Sequence, residues 1–292
     1  MYQIYYSFIF VLLLFIYFIQ LYFIFKCFYH NKSYFFFYKE NYLNIYIITH
    51  KDFYNKISNF YYKILCDDCS QLKNKYKLQL ISSHIDNELY IKKIGYCEGS
   101  KMYYIWKNYK NNKINTKYIG FNHYRRIFSF LNKIPNLNNI FKKYDVILKK
   151  TFYLKNENIK EQYSKYHIGK NMDEIIDIIK VNFTNYYITA LKTMNMLNVS
   201  FCNIFIMKRN DFIEYGEFVF GVLFEFDRRN NLQNDNDIEN YIKNNFINKT
   251  KVDNTKINTI DYQRRVEAFL LERLSNIYYN YKFKKKFEIT IE

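Results

Sequence analysis

The stretch Cys97–Phe128, CEGSKMYYIWKNYKNNKINTKYIGFNHYRRIF, limits what this chain can fold into more than any other. In its first half Met102, Ile105, Trp106 and Tyr109 recur at i, i+3, i+4 and i+7, the apolar stripe of a helix over 98–109. A polar, Asn-rich gap follows at 111–116. Lys117–Asn122 then carries Tyr118, Ile119 and Phe121 and is predicted to be a short buried strand. It runs directly into His123-Tyr124-Arg125-Arg126. Ligands of open α/β sheets collect at the carboxyl ends of strands. Side chains alternate along a strand, so His123 and Arg125 are expected on one face, Tyr124 and Arg126 on the other. Two arginines and a histidine there suit an anion, one arginine meeting a substrate phosphate and the other bracing the site. The same spacing also suits two arginines paired with carboxylates.

Other segments fill in an α/β chain. Tyr42–Ile48 is predicted to be a strand ending in the polar turn Thr49-His50-Lys51, the usual start of a nucleotide-binding α/β domain. No GxGxxG and no GxxxxGK[ST] follows, so neither a dinucleotide fingerprint nor a phosphate-binding P-loop is present. Tyr144–Leu148 is a further strand, and Tyr153–Lys170 is expected to be a polar loop over the site. Met172–Phe183 is helical, with Ile175, Ile176, Ile179 and Phe183 on one side. Phe201–Met207 alternates as a strand on which Asn203 is the polar exception, and a buried polar group needs partners. Asn210 is placed as the cap of a helix through Arg228. Residues 229–259 show little periodicity and are expected to form a polar insertion. Gln263–Tyr279 is predicted to be one helix, in whose apolar arc Arg273 falls, so that Glu272 and Arg273 form either an internal brace or part of a site.

The amino-terminal segment asks for a different solvent. Ile4–Phe25 is a run of 22 residues without a charge. At about 1.5 Å per residue it extends about 33 Å, enough for a bilayer. It is too long for an ordinary signal core and no small-residue cleavage site follows, so an uncleaved single-pass anchor is expected. Residues 1–34 then form anchor and stem, and 35–292 one globular domain. Lys26, Lys32 and Lys39 follow the run, which favours a cytosolic domain; a lumenal one requires the opposite bias. The net charge of +17 accompanies abundant Lys, Asn, Ile, Tyr and Phe, all with AT-rich codons, and the lysines are scattered. No nucleic acid partner is therefore expected. Lys282–Lys286 is taken as a solvated strand edge. Cys66 and Cys69 form a CxxC without a second pair at zinc spacing, and the five cysteines are expected to be ordinary thiols.

The motifs CE-x-S-x-x-Y-Y-x-W-K-N and Y-I-G-F-x-H-Y-R-R-x-F resemble the signature of the domain-of-unknown-function 4422 family. The resemblance extends over Ile45–Phe53, Tyr144–Lys149, Tyr163–His167, Asn203–Tyr215 and Tyr262–Leu274, about residues 43–280 in the family's order. It implies an α/β, GT-A-like nucleotide-diphospho-sugar transferase fold with a central, mostly parallel sheet. It implies a glycosyltransferase, of hexosyl type, moving a sugar from a nucleotide-sugar donor to a glycan acceptor in polysaccharide biosynthesis. By resemblance, Thr49, His50, Lys51, Asp86, Asn87 and Tyr124 lie on the donor side. Glu98, Trp106, His167, Asn203 and Arg273 lie on the acceptor side. The chain departs from the family's usual run in having Glu88-Leu89 after Asp86-Asn87. Many enzymes of this fold hold a metal through Asp-x-Asp at a strand end; here Asn122–Arg126 occupies that place, and a divalent metal stays open. Asp235-x-Asp237 lies in the polar insertion and is taken as incidental. His123, Arg125 and Arg126 are expected to supply positive charge at the leaving diphosphate. Glu272, Asp86 and His167 are the candidates for catalytic base. A catalytically inactive, membrane-anchored glycan- or nucleotide-sugar-binding protein is the alternative.

Overall fold

The computed structural model describes residues 42–52, 61–66, 69, 80–81, 87–128, 136–246 and 257–291, together with Ile19, Gln20 and Tyr22. The expected anchor at 4–25 otherwise lies outside the described residues; Ile19, Gln20 and Tyr22 are helical. No helix among the described residues is long and apolar enough to cross a membrane.

A mixed seven-stranded sheet is the frame. Its strands are β1 (Leu43–Ile48), β2 (Tyr62–Leu65), β3 (Leu80–Ile81), β4 (Tyr118–His123), β5 (Val146–Lys149), β8 (Phe205–Lys208) and β9 (Lys286–Ile289). The order is β3-β2-β1-β4-β8-β5-β9. β1, β2 and β3 pair in parallel, with Ile45 opposite Tyr62, and β9 is parallel to β5. β8 runs against both β4 and β5. β8 is thus the strand that runs against its neighbours, and the sheet is mostly parallel as expected. The reversal brings the chain into β8 with Phe205 opposite Phe121, so residues 202–203 arrive at the carboxyl end of β4. A separate ribbon pairs β6 (Phe152–Tyr153) with β7 (Asn198–Val199).

The longer helices among the described residues are α1 (Glu98–Lys110), α2 (Ile159–Tyr166), α3 (Lys170–Asn182), α4 (Thr184–Met194), α5 (Arg209–Arg229), α6 (Asp235–Asn245) and α7 (Val266–Lys282). The stripe read for α1 is buried at all four positions, Met102, Ile105, Trp106 and Tyr109. Aromatic rings join sheet to helices, as Phe121 lies 5.4 Å from Phe212 and Phe205 lies 5.4 Å from Tyr215.

Several expectations change. The polar loop at 153–170 contains α2, whose amino end is closed by a reciprocal capping box between Asn158 and Glu161. The polar insertion contains α6, capped likewise by Asn234 and Asp237, with Ile238, Tyr241 and Ile242 buried. Asp237 of the Asp-x-Asp pair is thus a capping residue. Residues 201–204 are not strand, because Cys202 and Asn203 take φ of 75° and 47°. Asn210 lies inside α5, whose cap position is Lys208. The predicted 263–279 helix is two pieces, Ile260–Gln263 and α7, broken at Arg264 and Arg265. Cys66 and Cys69 are joined as a disulfide rather than free. Lys286 opens β9, the terminal strand of the sheet, so that Lys282–Lys286 leads into an edge.

Candidate functional site

A cavity of about 560 Å³ opens at the carboxyl ends of β1 and β4, the point where the strand order reverses direction. The two strands end together, the Tyr124 N–H donating to Ile48 O at 3.2 Å. From β1 come Ile48, Thr49 and His50; from β4 and its turn, His123 and Arg125. The start of α1 adds Cys97, Glu98 and Lys101, and the break before α7 adds Asp261, Arg264 and Arg265.

β4 does not run on through the two arginines. The Arg126 N–H donates to His123 O at 2.8 Å, closing a turn. The turn keeps His123 and Arg125 at the cavity and sends Arg126 to the Cys202 Sγ, where it lines no cavity described here. Tyr124 is buried beneath, a platform for the edge of His50 at 5.3 Å and the Arg125 guanidinium at 5.0 Å. Among the described residues Arg125 and Arg265 make no ion pair, so pairing with carboxylates, the other option for this spacing, is not what Arg125 does. Arg264 is held by Glu239 at 2.7 Å and Asp261 at 3.3 Å.

The imidazoles contribute no charge. Burial, then Arg125 and Arg126, push His123 down to about 4, and burial and Lys51 lower His50. The Arg125 N–H points at His123 Nδ1 over 3.4 Å, which leaves the neutral ring's proton on Nε2. Positive charge at the cavity is therefore guanidinium and ammonium charge: Arg125, Arg264, Arg265, Lys93 and Lys101.

The carboxyls at the cavity are Asp261, paired with Arg264, and Glu98. Half-buried, Glu98 is pushed up to about 7 by burial first and the Glu272 charge second, against the opposing pull of Arg265 and Asn203. A carboxyl so poised can hold or release a proton near neutrality. Behind it a chamber of about 10 Å³ is lined by Glu98, His123, Asn122, Asn203 and Cys202 among apolar walls.

The other expected site residues lie elsewhere. Thr49 lines the cavity with its hydroxyl turned to the Lys51 backbone, and Lys51 lies over Tyr124. Asn87 caps the 3₁₀ turn Glu88–Lys92 and donates to Ser100 at 3.0 Å. Asp86 is outside the described residues. Trp106 packs in the core and donates to Ile213 O at 2.8 Å, because α5 presents Gly216 to its ring. His167 is sandwiched against Phe269, ring centres 3.9 Å apart, with Nδ1 3.1 Å from Gln263 Oε1. Arg273, 2 % exposed, is the brace of the two options: it binds Glu272 at 3.0 Å and Gln162 at 2.6 Å. Glu272 also accepts the Cys202 N–H at 2.8 Å, which fixes the left-handed backbone there. Glu272, expected to act in catalysis, lines neither cavity.

Lys93, Lys101, Arg264 and Arg265 were not picked out beforehand. The Gln263-Arg264-Arg265 run within the resemblance at Tyr262–Leu274 was the available signal; helical periodicity hid it by carrying the helix through the break. Among the described residues no three His, Cys, Asp or Glu side chains gather as metal ligands.

Comparison with solved structures finds a likeness to the WbbM bifunctional glycosyltransferase in its apo form, at TM-score 0.60 and 19% identity. The match covers 86% of this chain and 45% of that one, so the chain spans under half the length of this neighbour. At that identity the likeness is one of fold. Comparison with curated proteins finds no match. The sequence pattern described as domain of unknown function (DUF4422) matches residues 44–248, which include the β1 and β4 ends and α1, and the chain belongs to that family.

Proposed function

We propose that the chain is a glycosyltransferase that moves a hexosyl-type sugar from a nucleotide-sugar donor to a glycan acceptor, anchored in a membrane by residues 4–25. The observation that carries the reading is the cation-lined cavity at the β1/β4 switch point, on a fold shared with a solved bifunctional glycosyltransferase. Departure of a nucleoside diphosphate develops negative charge that preorganised cations stabilise. Arg125 and Arg265, free of ion pairs among the described residues, can offer planar forks to phosphate oxygens. Lys93 and Lys101 add point charges, and neutral His50 and His123 add hydrogen-bonding groups.

The test is a panel of nucleotide sugars and nucleoside diphosphates scored by thermal stabilisation, followed by transfer assays. Arg125→Lys should fold as wild type and lose transfer by about 10²-fold or more. Unchanged turnover removes Arg125 from the mechanism. The second reading, an inactive nucleotide-sugar-binding protein, is favoured by Asn87, whose amide is consumed by the cap and Ser100. It predicts stabilisation by a donor with neither transfer nor donor hydrolysis.

A further inference from the structure

Of the three base candidates named from the sequence, the two that are described, Glu272 and His167, do not line the cavity. Glu272 is engaged by the Cys202 N–H and Arg273, His167 lies between aromatic rings and Gln263, and Asp86 is outside the described residues. His123, held at about 4, is a weak base. The cavity's carboxyls are Asp261 and Glu98, and Asp261 is paired with Arg264.

Glu98 stands at a built position. Cys97 before it takes φ 47° and ψ −120°, a backbone that L-residues adopt at a cost, and this strained residue leads directly into α1. Glu98 lines both the cavity and the chamber behind. Two amides complete the chamber. Asn122, 2 % exposed, accepts the Phe128 N–H through Oδ1 at 3.0 Å. Asn203, 3 % exposed, accepts the Ser275 hydroxyl through Oδ1 at 2.7 Å. The Phe128 N–H can only donate, so the Asn122 orientation is set and its Nδ2 is left without a partner; the Asn203 Nδ2 has none beyond its approach to Glu98. Buried donors without acceptors are costly. A space of about 10 Å³ with several polar neighbours accommodates one water.

We propose that Glu98 takes the proton of the acceptor hydroxyl, and that a water held by Asn122 and Asn203 in the chamber fills its inner side. The inference rests on the glycosyl-transfer reading. In the step, the acceptor oxygen forms a bond to the anomeric carbon of the donor. The bond from that carbon to the diphosphate oxygen breaks, its electron pair leaving with the nucleoside diphosphate. The hydroxyl proton passes to a Glu98 oxygen and later to solvent. The groups that set Glu98's charge are Glu272 from α7, Arg265 from the break before it, and Asn203 before β8. Lys101 on its own helix, His123 from β4 and His50 from β1 complete the cavity around it.

A charged Glu98 also repels the diphosphate it faces, which provides a readout independent of turnover. The full chain and its Glu98→Gln and Glu98→Asp variants are titrated by calorimetry with uridine, guanosine and cytidine diphosphates and inorganic pyrophosphate from pH 5.5 to 8.5. The ratio of variant to wild-type affinity cancels the ligand's own ionisation. For E98Q the ratio should be near one at the acid end and rise several-fold through about pH 7, while kcat falls about 10²-fold or more and donor KM does not rise. E98D should recover part of kcat. Turnover of E98Q within threefold of wild type, or a flat affinity ratio, overturns the inference and leaves the diphosphate site standing. Failure of the wild type to bind any of the diphosphates removes the parent reading and this inference with it.

Discussion

At the scale of single residues, the group most out of place is Glu267. It is fully buried in α7, neither oxygen finds a donor, and its neighbour Gly95 lacks the Cβ that would stand 2.3 Å from Oε2. Nearby Asp227 accepts from Tyr96 at 2.8 Å and is paired with Lys92. Burial, then the Asp227 charge, push Glu267 well above the ordinary carboxylate range. One lysine, one carboxylate and one neutral acid make the cluster electrically balanced. For an acid whose folded-state pKa is raised, the stability contribution is full below the unfolded value, about 4.5, and is lost as pH rises toward the folded value. Glu267→Gln mimics the neutral acid and carries no such loss. We predict that the stability gap between E267Q and wild type shifts in favour of the variant from pH 5 to pH 8, measured by urea unfolding at both. An identical gap at the two pH values would refute a protonated Glu267.

At the scale of elements, the joint between α1 and α5 shows why an aromatic picked for sugar binding became structural. Trp106 sits where a Cβ on Gly216 would lie 2.0 Å from its ring, so the helices approach closely only with glycine there. Gly216→Ala should cost about 1–3 kcal/mol or more by overpacking, read as a lower thermal midpoint. An unchanged midpoint would mean that the helices separate without penalty. α1 was legible because four apolar residues at helical spacing are all spent on the core. α6 was missed because only Ile238, Tyr241 and Ile242 are buried on an otherwise polar helix, although its Asn234–Asp237 box was written in the chain. The break at Arg264–Arg265 was invisible to periodicity, yet it brings two guanidiniums to the cavity.

At the scale of the whole molecule, the uncharged run at 4–25 is long enough for a bilayer. We predict that the full chain sediments with membranes and resists alkaline carbonate extraction. We also predict a cytosolic globular domain, the side favoured by the lysines that follow the segment. A glycosylated or externally protease-sensitive domain would overturn that orientation, and release by carbonate would overturn the anchor.

The chain's own order of residues determined the α/β alternation, the α1 stripe, the end of β4 at His123 and the need of Arg273 for a partner, because each follows from periodicity or from the cost of burying charge. Tertiary structure decided the rest. Which arginine faces the cavity depended on a turn closed by one hydrogen bond at Arg126. Which carboxyl can titrate near neutrality depended on how deeply Glu98 is enclosed and on the approach of Glu272 from 174 residues farther along the chain (272 minus 98). Burial and through-space charge are properties of neighbours, and neighbours that distant are set only when the sheet closes.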